Sequence, residues 1–151
     1  MHRTYETEEI SIFWNSEKCR HAKKCVTGSP EVFEFGRRPW IDPARGESAK
    51  IWQTVSHCPS GALSITYNHE VQVNYDEASC RAVAVLHGNE IGECDYEVTD
   101  SGQSWNIYHT HVLPEHNGKN IARRLVYRLL ETAERRGITV TASCSYAARL
   151  L

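Results

Sequence analysis

Three cysteines in the first 58 residues have the types and spacing of a metal-binding site. Cys19 and Cys25 lie six residues apart in a short polar segment, and Cys58 follows 33 residues later, directly before a proline. A local loop of thiolates joined by a remote Cys-Pro is a ligand arrangement of iron-sulfur clusters. Zinc also accepts thiolates, and His21 or His57 would complete a tetrahedral zinc site. The spacing predicts a metal centre and favours iron over zinc.

The loop departs from the bacterial pattern C-x2-C-x2-C-x3-C-P at two positions. Ala22 stands where the second cysteine is expected, and Ser29, followed by a proline, stands at the fourth. Because the fourth cysteine of that pattern serves a second cluster, its loss predicts a single cluster. Alanine cannot bind iron. The predicted cluster is therefore [3Fe-4S], or [4Fe-4S] with a last ligand from His21, His57, an external group or solvent.

Residues 8–67 resemble the divergent single-cluster ferredoxin domain in their motifs, which read in order CRHAKKC, SPEVF, RRPWIDP and CPSGAL. The resemblance implies an iron-sulfur domain over residues 1–68 with Cys19, Cys25 and Cys58 as the cluster ligands. Four basic residues accompany the loop cysteines: Lys18, Arg20, Lys23 and Lys24. They would offset the negative charge of a cluster or face a redox partner, and a solvated surface is an equally good interpretation.

A second candidate site lies where a predicted strand runs into the strongest predicted helix, residues 118–136. The first turn of a helix offers unpaired amide donors and the positive end of the helix dipole. Gly118 at that turn would let a pyrophosphate approach the backbone closely. Lys119, Arg123 and Arg124 add positive charge where nucleotide phosphates would lie. The pattern predicts a phosphate-binding turn.

The segments around this turn, HTHVLPEHNGKNIARRLV and GITVTASCSYA, resemble a small acetyltransferase family related to the GCN5 superfamily. The resemblance covers residues 79–151 and implies a minimal domain, residues 69–151, that binds acetyl-CoA and acetylates an amine acceptor. It implies that His109 acts as a base, and that Cys144 acts as a proton relay, an acetyl carrier or a pocket thiol. It also implies these acetyl-CoA-binding residues: Val112, Asn117, Gly118, Lys119, Asn120, Ile121, Ala122, Arg123, Arg124 and Tyr146.

The turn departs from the superfamily's R/Q-x-x-G-x-G/A loop at two positions. Glu115 stands at the first position, and Asn120 replaces the second glycine. Asparagine tolerates the left-handed backbone better than most residues do, so we expect the loop to persist with weaker cofactor binding. His111 lies two residues from His109 and shares its predicted strand face, but no third ligand at suitable spacing supports a metal site there. Cys94, like Cys80, is expected to be a small buried hydrophobe.

Composition narrows the class of protein. A chain of 151 residues that is 40% hydrophobic and 24% charged is long enough for one medium core or two small ones. A net charge of −2 excludes a nucleic-acid binder held by bulk phosphate neutralisation. No apolar run approaches the ~18 residues of a membrane span, and no signal peptide opens the sequence, so we expect a cytoplasmic protein without membrane contact. Six cysteines in such a chain favour metal or thiol chemistry over disulfides.

Charge is unevenly distributed along the second half of the chain. Residues 69–115 hold one basic side chain against nine acidic ones, whereas residues 118–136 hold six basic against two acidic. The acidic stretch would attract a cationic acceptor such as a lysine side chain or a polyamine, and it also suits the solvated face of an antiparallel sheet.

Hydrophobic periodicity and turn signals predict an α+β protein of two small domains joined near residues 68–78. The first domain is predicted to contain strands over 10–14 and 62–67, a helical turn over 19–25 and a helix over 47–56. The second is predicted to contain strands over 81–87, 90–98, 105–112 and 138–142 around the helix of residues 118–136.

We therefore predict an iron-sulfur domain fused to a minimal N-acetyltransferase-like domain, with the cluster controlling acyl transfer as a hypothesis. The alternative is an electron-transfer or iron-sensing and redox-sensing protein whose second half binds CoA or a partner without catalysis. A zinc-stapled interaction module is a third interpretation, and it predicts a colourless protein.

Overall fold

The computed structural model describes all 151 residues, which divide into two compact units, Met1–Asn68 and His69–Leu151. Each unit has its own sheet and its own buried hydrophobic core. The predicted α+β class is confirmed. None of the helices combines the length and the apolar character that crossing a membrane requires.

The N-terminal unit is a three-stranded antiparallel sheet covered by short helices. Its strands are β1 (His2–Glu6), β2 (Ile10–Asn15) and β3 (Leu63–Tyr67), in that order across the sheet. The helices are α1 (Lys24–Gly28) and α2 (Ser48–Ser56). The central strand β2 is buried along its whole length, and Ile51 and Val55 of α2 belong to the same core. This core supports the loop that carries Cys19 and the turn that carries Cys58.

The predicted helical turn over residues 19–25 is wrong, because residues 19–23 are not helical. A 3-10 turn spans Ser16–Lys18, and α1 begins at Lys24. Between them His21 and Lys23 adopt left-handed backbone, with φ of 56° and 62°. Such residues interrupt a right-handed helix, so the chain forms an open loop around Cys19.

The C-terminal unit contains a five-stranded sheet in sequential order. Its strands are β4 (Gln72–Asp76), β5 (Arg81–Leu86), β6 (Asn89–Thr99), β7 (Ser104–Val112) and β8 (Thr139–Ala142). All neighbours are antiparallel except β7 and β8, which are parallel. The sequence pattern does not predict β1 and β4, because both are short, polar edge strands whose pairing depends on a neighbour.

Helix α3 (Ile121–Arg135) provides the crossover from β7 to the parallel strand β8. Its buried face includes Leu125, Leu129 and Ala133, which join the core under the sheet. After β8 a short helix, α4 (Ser145–Ala148), follows directly. The β7–α3–β8 connection therefore places the start of α3 beside the end of β7.

Two irregularities of β7 determine which side chains and which backbone edge are exposed at its end. The pairing with β6 matches Tyr96 to Ile107 but Asp95 to His109, so Tyr108 is an extra, bulged residue. On the other edge, β8 pairs with β7 only as far as Ile107. Beyond that residue, the two parallel strands separate, and the β8-side edge of β7 has no strand partner.

Candidate functional site

The three predicted ligand cysteines converge on one cavity of the N-terminal unit. Cys19, Cys25 and Cys58 all line this cavity, and all three are free thiols of intermediate burial. The first two come from the loop before α1 and from α1 itself, and Cys58 comes from the turn that follows α2. Trp14 and Leu63 from the sheet also line the cavity.

Backbone amides surround these thiols. The Cys19 Sγ accepts a hydrogen bond from the His21 N–H at 3.4 Å. Partial burial raises the pKa of Cys58, but backbone N–H groups in residues 60–63 outweigh burial and hold that pKa below its ordinary value. Burial raises the pKa of Cys25, and the neighbouring thiols of Cys19 and Cys58 raise it further. Ionisation of three thiols that line one cavity is unfavourable unless a cation, such as a bound metal, offsets their charges.

The charge of the cavity lining suits an anionic metal centre. Arg20, Lys23 and Lys24 line the cavity, and no acidic side chain does. The fourth cysteine position of the ferredoxin pattern, Ser29, lies elsewhere: its buried Oγ is 2.6 Å from Thr54 Oγ1. The residues present therefore fit one thiolate-bound cluster, as the lost fourth cysteine predicts.

A second pocket, open to solvent, lies at the N-terminus of α3. It is lined by Val112, His116, Asn117, Gly118, Lys119, Asn120, Ile121, Ala122 and Tyr146. Eight of the ten predicted acetyl-CoA-binding residues are thus brought together. His116, which no sequence signal distinguished, also lines the pocket, and its Nδ1 lies 3.1 Å from Lys119 Nζ.

The two remaining predicted residues differ in position. Arg123 lies next to the pocket, where it interacts with the Tyr146 side chain. Arg124 does not line the pocket and is buried, with 5% of its surface exposed. Consecutive helix residues point about 100° apart, so Arg124 falls on the core side of α3. The structure thus departs from the expectation that Arg124 meets a phosphate.

The backbone of this turn exposes amide donors. Gly118 has φ of 82°, and a side chain added there would meet no atom within 4 Å. Asn120, at the helix N-cap, adopts left-handed backbone with φ of 55°. It takes the conformation that glycine would supply at this position. The first backbone N–H to bond back to Asn120 is that of Arg124, so the preceding amides of the first turn are not engaged in the helix.

Cys144 lies where β8 separates from β7. Its N–H donates to the Ile107 carbonyl, and its Sγ donates to Thr110 Oγ1 at 3.5 Å. Partial burial raises the pKa of Cys144, but backbone N–H groups of Ala147, Tyr146 and Thr110 and the Thr110 hydroxyl together hold it below its ordinary value. The arrangement stabilises a thiolate at this position.

Cys94 shares the same hydroxyl group but differs in reactivity. Its Sγ lies 3.4 Å from Thr110 Oγ1, and the residue is fully buried, as sequence analysis predicts. Burial raises the pKa of Cys94 to about 12. Of the two thiols beside Thr110, Cys144 therefore has a lowered pKa and Cys94 a raised one.

His109 lies on the opposite face of β7 from Cys144. It is exposed and pairs across the sheet with Asp95. Imidazole and carboxylate atoms of His109, Asp95 and Glu93 lie within 4.8 Å of one another. Partial burial and the Glu93 carboxylate raise the pKa of Asp95, while His109 and Arg81 oppose the rise. Spacing along the sequence does not predict either carboxylate, because only the strand register brings them to His109.

We expect iodoacetamide to label Cys144 at a lower pH than an ordinary thiol, and to leave Cys94 unlabelled in the folded protein. A lowered pKa increases the thiolate fraction at a given pH, and the thiolate is the nucleophile. Peptide mapping by mass spectrometry across a pH series measures both sites. Thr110→Val removes the shared hydroxyl and is expected to shift the Cys144 profile to higher pH. Equal labelling of the two cysteines would contradict the assignment.

Comparison with known families agrees with this two-unit structure. Residues 5–68 match the family model described as "Divergent 4Fe-4S mono-cluster", and residues 81–151 match "GCN5-related N-acetyl-transferase". The chain therefore carries a divergent 4Fe-4S mono-cluster domain over residues 5–68 and a GCN5-related N-acetyltransferase domain over residues 81–151.

Two curated proteins match part of the chain. Uncharacterized protein YjdI from Escherichia coli strain K12 is 36% identical over 69 residues, which are 46% of this chain and 88% of that protein. The protein of the same name from E. coli O157:H7 matches to the same extent.

Solved structures with likeness to the chain are acetyltransferases. A GCN5-like putative N-acetyltransferase from Staphylococcus aureus shares 25% identity over 52% of this chain and 76% of its own, with a TM-score of 0.42. Ribosomal-protein-alanine N-acetyltransferase from Brucella melitensis biovar Abortus 2308 shares 22% identity over 47% of this chain, with a TM-score of 0.40. The present chain spans 57% of that Brucella protein.

Proposed function

We propose that the N-terminal unit holds one iron-sulfur cluster on Cys19, Cys25 and Cys58, and that the C-terminal unit transfers an acetyl group from acetyl-CoA to an amine. The iron-sulfur half rests on the convergence of three free thiols on one cavity. The transferase half rests on the open pocket at the start of α3, beside the unpaired edge of β7.

In the N-terminal unit a bound cluster would supply one-electron redox chemistry. The three thiolates would hold the irons, and the amides of residues 60–63 stabilise the thiolate of Cys58. Trp14 and Leu63 line the inner side and limit access of water. Zinc also accepts thiolates. The match of residues 5–68 to a divergent 4Fe-4S mono-cluster family supports iron over zinc.

In the C-terminal unit the turn before α3 would bind the pyrophosphate of acetyl-CoA. The left-handed residues Gly118 and Asn120 leave amide donors facing open space, and Lys119 adds a positive charge at the pocket. Val112, at the end of the β7 edge, lines the same pocket. The extended arm of acetyl-CoA can pair with such an edge as a further strand would. This pairing would bring the thioester of acetyl-CoA toward Cys144.

Acetyl transfer needs a neutral amine, because a protonated amine has no lone pair with which to attack the thioester. His109 is suited to accept the proton, since histidine is the side chain that most often serves as a general base in enzymes. Asp95, directly opposite, stabilises the imidazolium that results, whereas Glu93 already pairs with Arg81 at 2.9 Å. Cys144 lies on the face of β7 opposite His109, so we place it beside the thioester of acetyl-CoA rather than beside the amine.

We expect His109→Gln to lower kcat/KM by about 100-fold, the lower range for loss of a general base, with unchanged affinity for acetyl-CoA. The measurement combines a thiol-release assay over a broad amine panel with calorimetry. His111→Gln, on the same face, is the matched control and should change turnover little. Acetyl-CoA binding by the native protein without turnover of any amine would reject catalysis and support a CoA-binding sensor.

The presence of both units on one chain supports a further proposal, that cluster occupancy or redox state controls the transferase. Acetyl-CoA affinity and turnover should then differ among protein with the cluster oxidised, reduced and removed. Identical values in all three forms would reject this control and leave the two separate activities unaffected.

A further inference from the structure

The cluster cavity contains three thiols where a four-iron cluster needs four ligands. The loop position that carries the missing cysteine in the ferredoxin pattern is Ala22, which lines the cavity but has no donor atom. Immediately before it, His21 also lines the cavity. Its imidazole is a ligand type that replaces cysteine on iron in Rieske centres.

The backbone of His21, at its position in the cavity lining, has an uncommon conformation. Its φ of 56° is left-handed, a conformation that is sterically unfavourable for a residue with a side chain. Its N–H donates to the Cys19 Sγ at 3.4 Å, which ties the residue to a predicted ligand. Such local strain is retained where the surrounding structure requires it, often at functional sites.

The other candidates for the fourth ligand are less suitable. His57, at the C-terminal end of α2, is exposed and does not line the cavity. The Ser60 hydroxyl does line it, but it lies 3.8 Å from Cys58 Sγ and accepts a hydrogen bond from the Ala62 N–H. The remaining polar side chains are the cations Arg20, Lys23 and Lys24, which carry no free lone pair in their charged forms.

We propose that His21 is the fourth protein ligand of a [4Fe-4S] cluster, bound to one iron through an imidazole nitrogen. The assignment rests on the cluster proposed above. A neutral imidazole in place of a thiolate leaves the cluster one unit less negative, which favours its reduced form. The loop residues 20–24 are exposed, so the histidine-bound iron lies on the solvent side of the cavity.

Pulsed EPR of the anaerobically purified, dithionite-reduced full chain tests this assignment. We expect a nitrogen hyperfine coupling that changes when histidine is supplied as the 15N-labelled amino acid. His21→Ala should lose that coupling and one iron per cluster, and the oxidised variant should show a [3Fe-4S] signal. His21→Cys should retain four irons without the coupling and have a lower reduction potential. His57→Ala is the matched control and should be indistinguishable from the native protein.

Two results would overturn the assignment, and they differ in what else they reject. A native four-iron cluster without histidine nitrogen coupling, or with a spectrum unchanged in His21→Ala, would reject the His21 ligand alone. Protein that contains zinc in place of iron and sulfide would reject both the His21 assignment and the proposed cluster.

Discussion

Replacement of Cys58 by serine is expected to remove iron, labile sulfide and the absorption near ~400 nm from anaerobically purified protein. Cys58 is the only one of the three cavity thiols that comes from outside the loop region of Cys19 and Cys25. Without it, a cluster would be held from one side of the cavity alone. Iron and sulfide analysis together with the visible spectrum measures the effect.

The same substitution should lower the melting temperature of the N-terminal unit, because a group that binds the folded state stabilises it by mass action. Cys80→Ser is a suitable control, since Cys80 is also a free thiol of intermediate burial but lies in the C-terminal unit. The control should retain full iron and sulfide. A Cys58→Ser protein that remains brown with a full iron count would contradict the proposed ligand set.

Gly118→Val is expected to weaken acetyl-CoA binding at least about tenfold. The glycine has φ of 82°, so a β-branched residue must strain or rearrange the turn at a cost of roughly 1–2 kcal/mol or more. About 1.4 kcal/mol corresponds to a tenfold change in affinity. The added methyl groups would also fill the open space through which a pyrophosphate reaches the amides. Isothermal calorimetry with acetyl-CoA measures the change.

Gly137→Val separates this effect from a general loss of stability. Gly137 also has positive φ, at 70°, and also has open space around it, but it follows the C-terminal end of α3. The two variants should lose similar amounts of stability in chemical denaturation. Only Gly118→Val should lose affinity. Equal affinities in the two variants would show that the turn before α3 does not bind the cofactor.

Local patterns of the sequence predict much of the fold of this protein. The amphipathic period of α3, the turns between strands and the loop cysteines predicted both units and their α+β class. They did so because helix periodicity and turn chemistry depend on neighbours along the chain. The left-handed Asn120 was likewise expected from the residue type, and it appears in the structure with φ of 55°.

Local patterns of the sequence did not predict the register of the strands. Strict alternation from the buried Trp105 and Ile107 would place His109 on the core face of β7. The bulge at Tyr108 shifts the alternation by one residue, so His109 faces outward with Asp95 while Thr110 faces the thiols of Cys94 and Cys144.

The sequence by itself determined the kinds of chemistry available: thiols spaced for a metal and a turn suited to phosphate. Tertiary structure alone decided which groups meet. It brought Cys58 to the loop, placed His21 rather than His57 at the cavity, and turned Arg124 into the core. The reason is that a ligand set or an acid–base pair joins residues distant in the chain. Their meeting depends on sheet register and packing, which no local pattern encodes.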